Sequence, residues 1–234
     1  MNVTIIYGAT KKANTYNCVQ LLLNSLRLNM NIKITEFFLP KNLPSFNHKC
    51  FSSLLNREDR RYQFNYVDSI AKSLDDSDLI ILASPVFTCD ISIEMKSFLE
   101  HLSYQYMQKK INYSMNNKIG LVMCTTAGAG LFHTTRTLKR NLNFLGINKT
   151  FKFSETLYEM NLEDVSLKTN KQINGKILKL SNKILDLYSN MHSEKTPILN
   201  KATSSKVEPI FKNNHCNVID FSYWKEHSCF HVRN

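Results

Sequence analysis

The chain has 234 residues, 43% of them apolar and 21% charged, which is enough to bury a core without disulfides and excludes a disordered polymer. No apolar run reaches the roughly 18 residues that a transmembrane helix needs, and the N-terminus lacks the basic and apolar regions of a secretory signal. Lys and Arg outnumber Asp and Glu by 30 − 19 = 11, an excess that suits an anionic partner but also follows from a general enrichment in Lys and Asn, 23 and 26 copies against six Gly.

Residues 3–7 form a short β-prone apolar run that ends at Gly8. A small, polar stretch follows to Thr15, and apolar positions at 19, 22, 23 and 26 then keep a helical period. Residues 32–39 predict a second strand, stopped by Pro40 and Pro44, with loop over 40–50. Apolar or aromatic positions at 62, 66, 67, 70, 71 and 74 predict a helix. Leu79 to Ala83 is apolar at every position, the mark of a central parallel strand covered on both faces. Residues 91–107 read as a helix, and 119–124 as a strand that runs into the glycine-containing loop 125–130. Residues 131–145 read as a helix stopped by Gly146, 147–153 as the last strand, and 173–191 as the last helix.

Strict alternation of strand and helix predicts an α/β fold: a doubly wound, five-stranded parallel sheet with helices on both faces, flavodoxin-like or Rossmann-like. Residues 1–192 make the domain. Residues 193–234 read as an extended tail whose aromatic patch, Phe221, Tyr223, Trp224 and Phe230, docks on the domain or on a second subunit. The six cysteines include no C-x-x-C pair and read as reduced thiols of a cytoplasmic protein. His215-Cys216 and His227-x-Cys229-x-His231 do not match a zinc spacing, so no metal is expected.

In such sheets ligands bind at the carboxyl ends of the strands. Three loops lie there. The first, 8–15, follows a strand and opens a helix, so its backbone N–H groups and the helix dipole suit a phosphate. Thr10, Asn14 and Thr15 add side-chain donors, and Lys11 or Lys12 adds charge. Neither a Walker A loop nor G-x-G-x-x-G is present, and an ordinary strand-to-helix turn is the alternative. The second, Ser84-Pro85-Val86-Phe87-Thr88, is a rigid, partly apolar wall for a planar ring, or a turn packed under the next helix. The third, Thr125-Thr126-Ala127-Gly128-Ala129-Gly130, lets backbone approach a ligand, or simply turns with positive φ.

Together the loops resemble the NAD(P)H-dependent FMN reductase and flavodoxin-like oxidoreductase family. Gly8, Asn14 and Thr15 stand at places comparable to the family's G-S-x-R-x-x-G/S-N-S/T loop. The run from Asp76 to Phe87 resembles its A-D-x-I-I-x-x-S/T-P-V/I-Y segment, and Met95-Lys96-Ser97-Phe98-Leu99 is similar to its following helix. Lys118 to Gly130 resembles the strand and glycine loop that cover the flavin ring, and Tyr223-Trp224-Lys225-Glu226 is similar to tails of some members. The likeness covers roughly residues 1–190. Ala9 replaces the usual Ser, Lys11 or Lys12 stands for the usual Arg, and Phe87 replaces the usual Tyr. Only Cys50 precedes the third strand where iron–sulfur relatives carry a compact cysteine motif, so no cluster is expected.

The resemblance implies an FMN whose phosphate is held by Thr10, Lys11, Lys12, Asn14 and Thr15. Its ring would lie between Pro85, Val86, Phe87 and Thr88 on one side and Thr126, Ala127, Gly128 and Gly130 on the other. Hydride would pass from NAD(P)H to the flavin and on to a small-molecule acceptor such as a quinone, a free flavin or a nitroaromatic. No side-chain nucleophile is needed, and none shows a signature such as G-x-S-x-G. The resemblance also implies a homodimer, with neither nucleic acid nor membrane as partner. From His101 to Ser154 there is no Asp or Glu but eight Lys or Arg; of these, Arg136, Lys139 and Arg140 suit the phosphates of NADPH, against an ordinary solvated face. His133 either edges the flavin site or is an ordinary helix residue. Two other classes remain: a flavodoxin-type electron carrier without NAD(P)H oxidation, and a basic nucleic-acid-binding module, for which no helix-turn-helix, zinc finger or RRM signature appears.

Overall fold

The computed structural model describes residues 1–10, 13–39, 64–108, 113–158 and 165–193, with backbone alone at 64–68, 104–108, 113 and 114. The elements are β1 (Asn2–Tyr7), α1 (Asn14–Arg27), β2 (Lys33–Phe38), α2 (Phe64–Asp75), β3 (Leu79–Pro85), α3 (Ile93–Gln108), β4 (Ile119–Thr126), α4 (Leu131–Phe144), β5 (Lys149–Thr156) and α5 (Leu167–Ser193). A short 3-10 turn, Tyr113–Asn117, precedes β4. The expected tail and the loop 40–50 lie outside the described residues.

The five strands are parallel and run in the order β2-β1-β3-β4-β5. The direction of winding reverses between β1 and β3, so their carboxyl ends diverge into a crevice. Side-chain alternation splits the core. Val3, Ile5, Leu79, Ile81, Leu121 and Met123 face α1 and α5, meeting Val19, Leu22, Ile177 and Ile184. Ile6, Ile80, Leu82 and Val122 face α2, α3 and α4, meeting Ile70, Leu74, Phe98, Leu102, Leu138 and Leu142. Because both faces are covered, β3 and β4 are apolar almost throughout. Each fully buried Leu or Ile contributes about 1.5–3 kcal/mol of transfer free energy.

The last strand and the last helix differ most from the expectation in their bounds. The last strand begins at Lys149 and extends to Thr156, three residues past Phe153. Pairing with β4 through Thr126↔Thr156 carries it on, whereas Ile147 is spent in the core under α4. The last helix begins at Leu167, where Ser166 accepts the Thr169 N–H through its hydroxyl at 3.2 Å. An N-cap of that kind starts a helix ahead of its apolar stripe.

Candidate functional site

The carboxyl ends of β1, β3 and β4 frame a cleft of about 280 Å³. Ala9, Ala13, Asn14 and Thr15 line it from the first loop, Pro85 and Val86 from the second, and Thr125, Thr126 and Ala127 from the third. The fold therefore brings the three loops of the sequence analysis together. Lys11 and Lys12 lie outside the described residues.

The first loop is held by close approach. The Gly8 N–H donates to Ala83 O at 2.8 Å. A Cβ on Gly8 would stand 2.8 Å from Ser92 Oγ and 3.0 Å from Ser84 Oγ, so only glycine fits without displacement. The Ser92 hydroxyl donates to Gly8 O and accepts the Met95 N–H at 3.2 Å, tying the loop to the start of α3. Thr15 Oγ1 and Thr125 Oγ1 share a buried hydrogen bond of 2.6 Å, which joins the first loop to the third.

Ala13 occupies the N-cap of α1 and provides no side-chain cap, and no acidic residue stands in the first turn. First-turn N–H groups without a side-chain cap, at the positive end of the helix dipole, are of a kind that suits an anion. No carboxylate lines the cleft among the described residues. The opposite walls are Ala83, Pro85, Val86 and Ala127, small and apolar. An uncapped helix start beside hydroxyls, with a flat apolar wall, is a donor set that fits a phosphate joined to a planar ring.

Not every expected contact reaches this cleft. Thr10 is exposed and outside its lining. Phe87 is 53% exposed and turns away with Thr88. Phe87 and Asp90 close a two-residue turn through paired N–H···O bonds of 2.9 Å, and Thr88 and Cys89 sit at φ 49° and 62°. Such left-handed geometry is strained for Thr, by about 1–3 kcal/mol. The Gly128 N–H donates to Thr126 Oγ1 at 3.1 Å, so it points into its own loop. Gly130, at φ 100°, is the N-cap of α4; a Cβ there would meet Cys89 Cα at 2.6 Å. Its absent side chain lets the 87–90 turn pack against the third loop.

The cleft also contains residues that the sequence reading missed. Tyr7, Tyr16, Leu157 and Tyr158 line it. Tyr7 stacks on Phe38 with ring centroids 4.6 Å apart, and Tyr16 tilts against both. The Tyr7 hydroxyl donates to Glu36 Oε1 at 2.8 Å, and Gln20 Nε2 donates to the same oxygen at 3.1 Å. Burial first, and then the Glu36 carboxylate, push the Tyr7 pKa up. The phenol therefore stays protonated and acts as a donor, not a base. A Tyr closing an apolar strand is the one available signal for it. Leu157 and Tyr158 carried no signal, because the Leu157 N–H reaches Thr126 O at 2.7 Å only through the extended β5.

Comparisons with known proteins agree with this architecture. The family profile described as NADPH-dependent FMN reductase matches residues 1–158. The structure is similar to an FMN-dependent NADH-azoreductase from Bacillus anthracis solved in complex with FMN, at TM-score 0.62 and 11% identity, covering 79% of this chain and 99% of that one. It is also similar to an NAD(P)H:quinone oxidoreductase from Methanothermobacter marburgensis, at TM-score 0.58 and 12% identity, covering 79% and 97% of the two chains. The apo form of an NADH:FMN oxidoreductase matches at TM-score 0.55 and 15% identity, over 83% and 91%. No curated protein matches in sequence. At these identities the solved structures share the fold; the family profile carries the assignment. The chain belongs to the NADPH-dependent FMN reductase family and is an FMN-dependent NAD(P)H oxidoreductase.

Proposed function

We propose that the cleft holds FMN and that the protein uses it to pass electrons from NAD(P)H to a small organic acceptor: a quinone, a free flavin, or a nitro or azo aromatic. The observation that carries this reading is the convergence of an uncapped α1 N-terminus with the small apolar walls at Ala83, Pro85, Val86 and Ala127. Asn14 and Thr15, with Lys11 and Lys12 from the same loop, would hold the phosphate. Pro85 and Val86 would form one wall for the ring, with Thr126 and Ala127 at the other. Phe87, Thr88 and Gly130 shape the mouth through the 87–90 turn and its packing on the third loop. Bound FMN supplies the redox chemistry, accepting hydride from the nicotinamide and delivering electrons to the acceptor.

The chain's own residues position and exclude. The Thr15–Thr125 bond fixes the spacing of the two loops, and the Tyr7–Glu36–Gln20 network closes the cleft on the β2 side. No side chain needs to transfer a proton for the cofactor to be reduced. The same reading makes the protein a cytoplasmic homodimer. The free thiols Cys18, Cys89 and Cys124 suit a reducing compartment, and light scattering tests the dimer.

The test is uptake of FMN, followed by quenching of its fluorescence, and then stopped-flow mixing with NADPH and with NADH. Tight uptake and fast bleaching of the flavin band support the oxidoreductase. Tight uptake with very slow bleaching by both nucleotides would instead favour an electron carrier. No uptake would remove the reading.

A further inference from the structure

Helix α4 leaves the cleft with an aromatic and then a cationic surface. Its buried side is Thr134, Thr135, Leu138 and Leu142. On the opposite side Phe132 is 76% exposed, and Arg136, Lys139 and Arg140 are exposed as well. Positions 132, 136 and 140 fall four residues apart on one stripe, with 139 beside it. None of the three cations has a carboxylate partner among the described residues. The ion pairs among the described residues are His133–Asp90 at 3.7 Å and Lys176–Glu155. The adjacent α3 carries Glu94 and Glu100, and neither pairs with the stripe.

A solvated basic face explains exposed Arg and Lys but not the exposed Phe at their head. An aromatic ring in water, one turn ahead of an unpaired Arg and two residues after the Gly130 cap, has the composition of a nucleotide platform. Spacing supports this. Residues i and i+4 of a helix hold their Cβ atoms about 5–6 Å apart. A purine and the phosphate on its own ribose are separated on the same scale. Arg136 lies about 9 Å and Arg140 about 15 Å along the axis from Gly130, within the reach of an extended dinucleotide.

We propose that this stripe binds the adenosine 2′-phosphate end of NADPH, with the adenine on Phe132 and the 2′-phosphate between Arg136 and Arg140. Forked guanidinium donors suit a phosphate dianion, and Lys139 adds charge. The stripe thus selects NADPH over NADH. The inference rests on the cleft being the FMN site, since the nicotinamide must reach it.

The test is calorimetric titration of the FMN-loaded protein with adenosine 2′,5′-bisphosphate and with adenosine 5′-monophosphate. The bisphosphate should bind about tenfold tighter. Arg136→Gln combined with Arg140→Gln should abolish that difference and leave the monophosphate affinity unchanged. Phe132→Ala should weaken both ligands alike. FMN affinity should be unaltered in every variant, which certifies an intact fold. Equal affinity of the wild type for the two ligands would overturn the proposal, as would an unchanged ratio in the double variant. If Phe132→Ala leaves nucleotide affinity intact but halves the mass in solution, the ring belongs to a contact between copies and the platform is refuted. The same titration on flavin-free protein separates the two readings: failure to take up FMN removes the cofactor site, while the affinity ratio still decides the stripe.

Discussion

The two edges of the sheet are made by the same strands and treat their polar groups in opposite ways. At the amino edge a set of polar groups pair with one another inside the protein. The Asn2 N–H donates to Asp78 Oδ2 at 2.6 Å, and the Asp78 N–H donates to Asn2 O at 2.9 Å. Lys118 Nζ donates to Asp75 O and Ser77 O, each at 2.6 Å, and so caps the carbonyls at the end of α2. Thr4 and Ser77 complete the seal. At the carboxyl edge Ser92 caps α3, but Ala13 at the start of α1 and Gly130 at the start of α4 offer no capping side chain. An edge that satisfies itself contributes stability. One that leaves donors and apolar walls open contributes a site.

Substitutions at the two edges should therefore separate stability from cofactor affinity. The largest effect is expected for Gly130→Ala, where the new methyl meets Cys89 Cα at 2.6 Å on a left-handed backbone. Urea denaturation should show a loss of about 3 kcal/mol, with weaker FMN binding because the mouth shifts. At the other edge, Lys118→Met leaves two carbonyls unpaired. It should cost about 2 kcal/mol while FMN affinity stays unchanged. An equal loss of FMN would erase the contrast between the edges.

Alkaline pH gives a third handle. Burial pushes the Cys18 and Cys124 thiols up to about 12. Folded protein then keeps protons that unfolded protein has released, so stability should fall from about pH 9 towards 12, at about 1.4 kcal/mol per pH unit for each thiol. Cys124→Ala should make that fall shallower. Lys118 has the opposite sign. Burial lowers its pKa, so between its folded value and its usual 10.5 it adds stability as pH rises, and Lys118→Met should steepen the alkaline loss.

Smaller effects sharpen the cleft itself. Thr15→Val removes the bond to Thr125 and should cost about 1 kcal/mol, with several-fold weaker FMN binding. A change in stability with no change in FMN affinity would detach this pair from the site. Gly128→Ala is the counterpart to Gly130→Ala in the same loop. Nothing lies within 4 Å of its new Cβ, so stability should stay within about 0.5 kcal/mol. Reduced FMN affinity at unchanged stability would put the ring against this residue; unchanged affinity would place it elsewhere along the loop.

Much of this was legible in the chain alone. Apolar runs such as 79–83 and helical periods such as 131–145 report burial, and burial is what parallel strands and their covering helices require. Alternation of the two restricts the topology, and the composition of the three loops pointed to segments that come together around the cleft. What the sequence could not decide is where side chains that share a loop finally point. Phe87 and Gly128 stand in the right loops yet turn from the cleft, because a local reverse turn and the Thr126 hydroxyl claim them. Tyr7 on β1, Tyr16 on α1 and Tyr158 just past the end of β5 meet there only after β1 and β5 take their places in the sheet. Local periodicity determines elements, since it depends on near neighbours. Contacts between residues a hundred positions apart depend on strand order, register and turn geometry, which exist only in the folded chain.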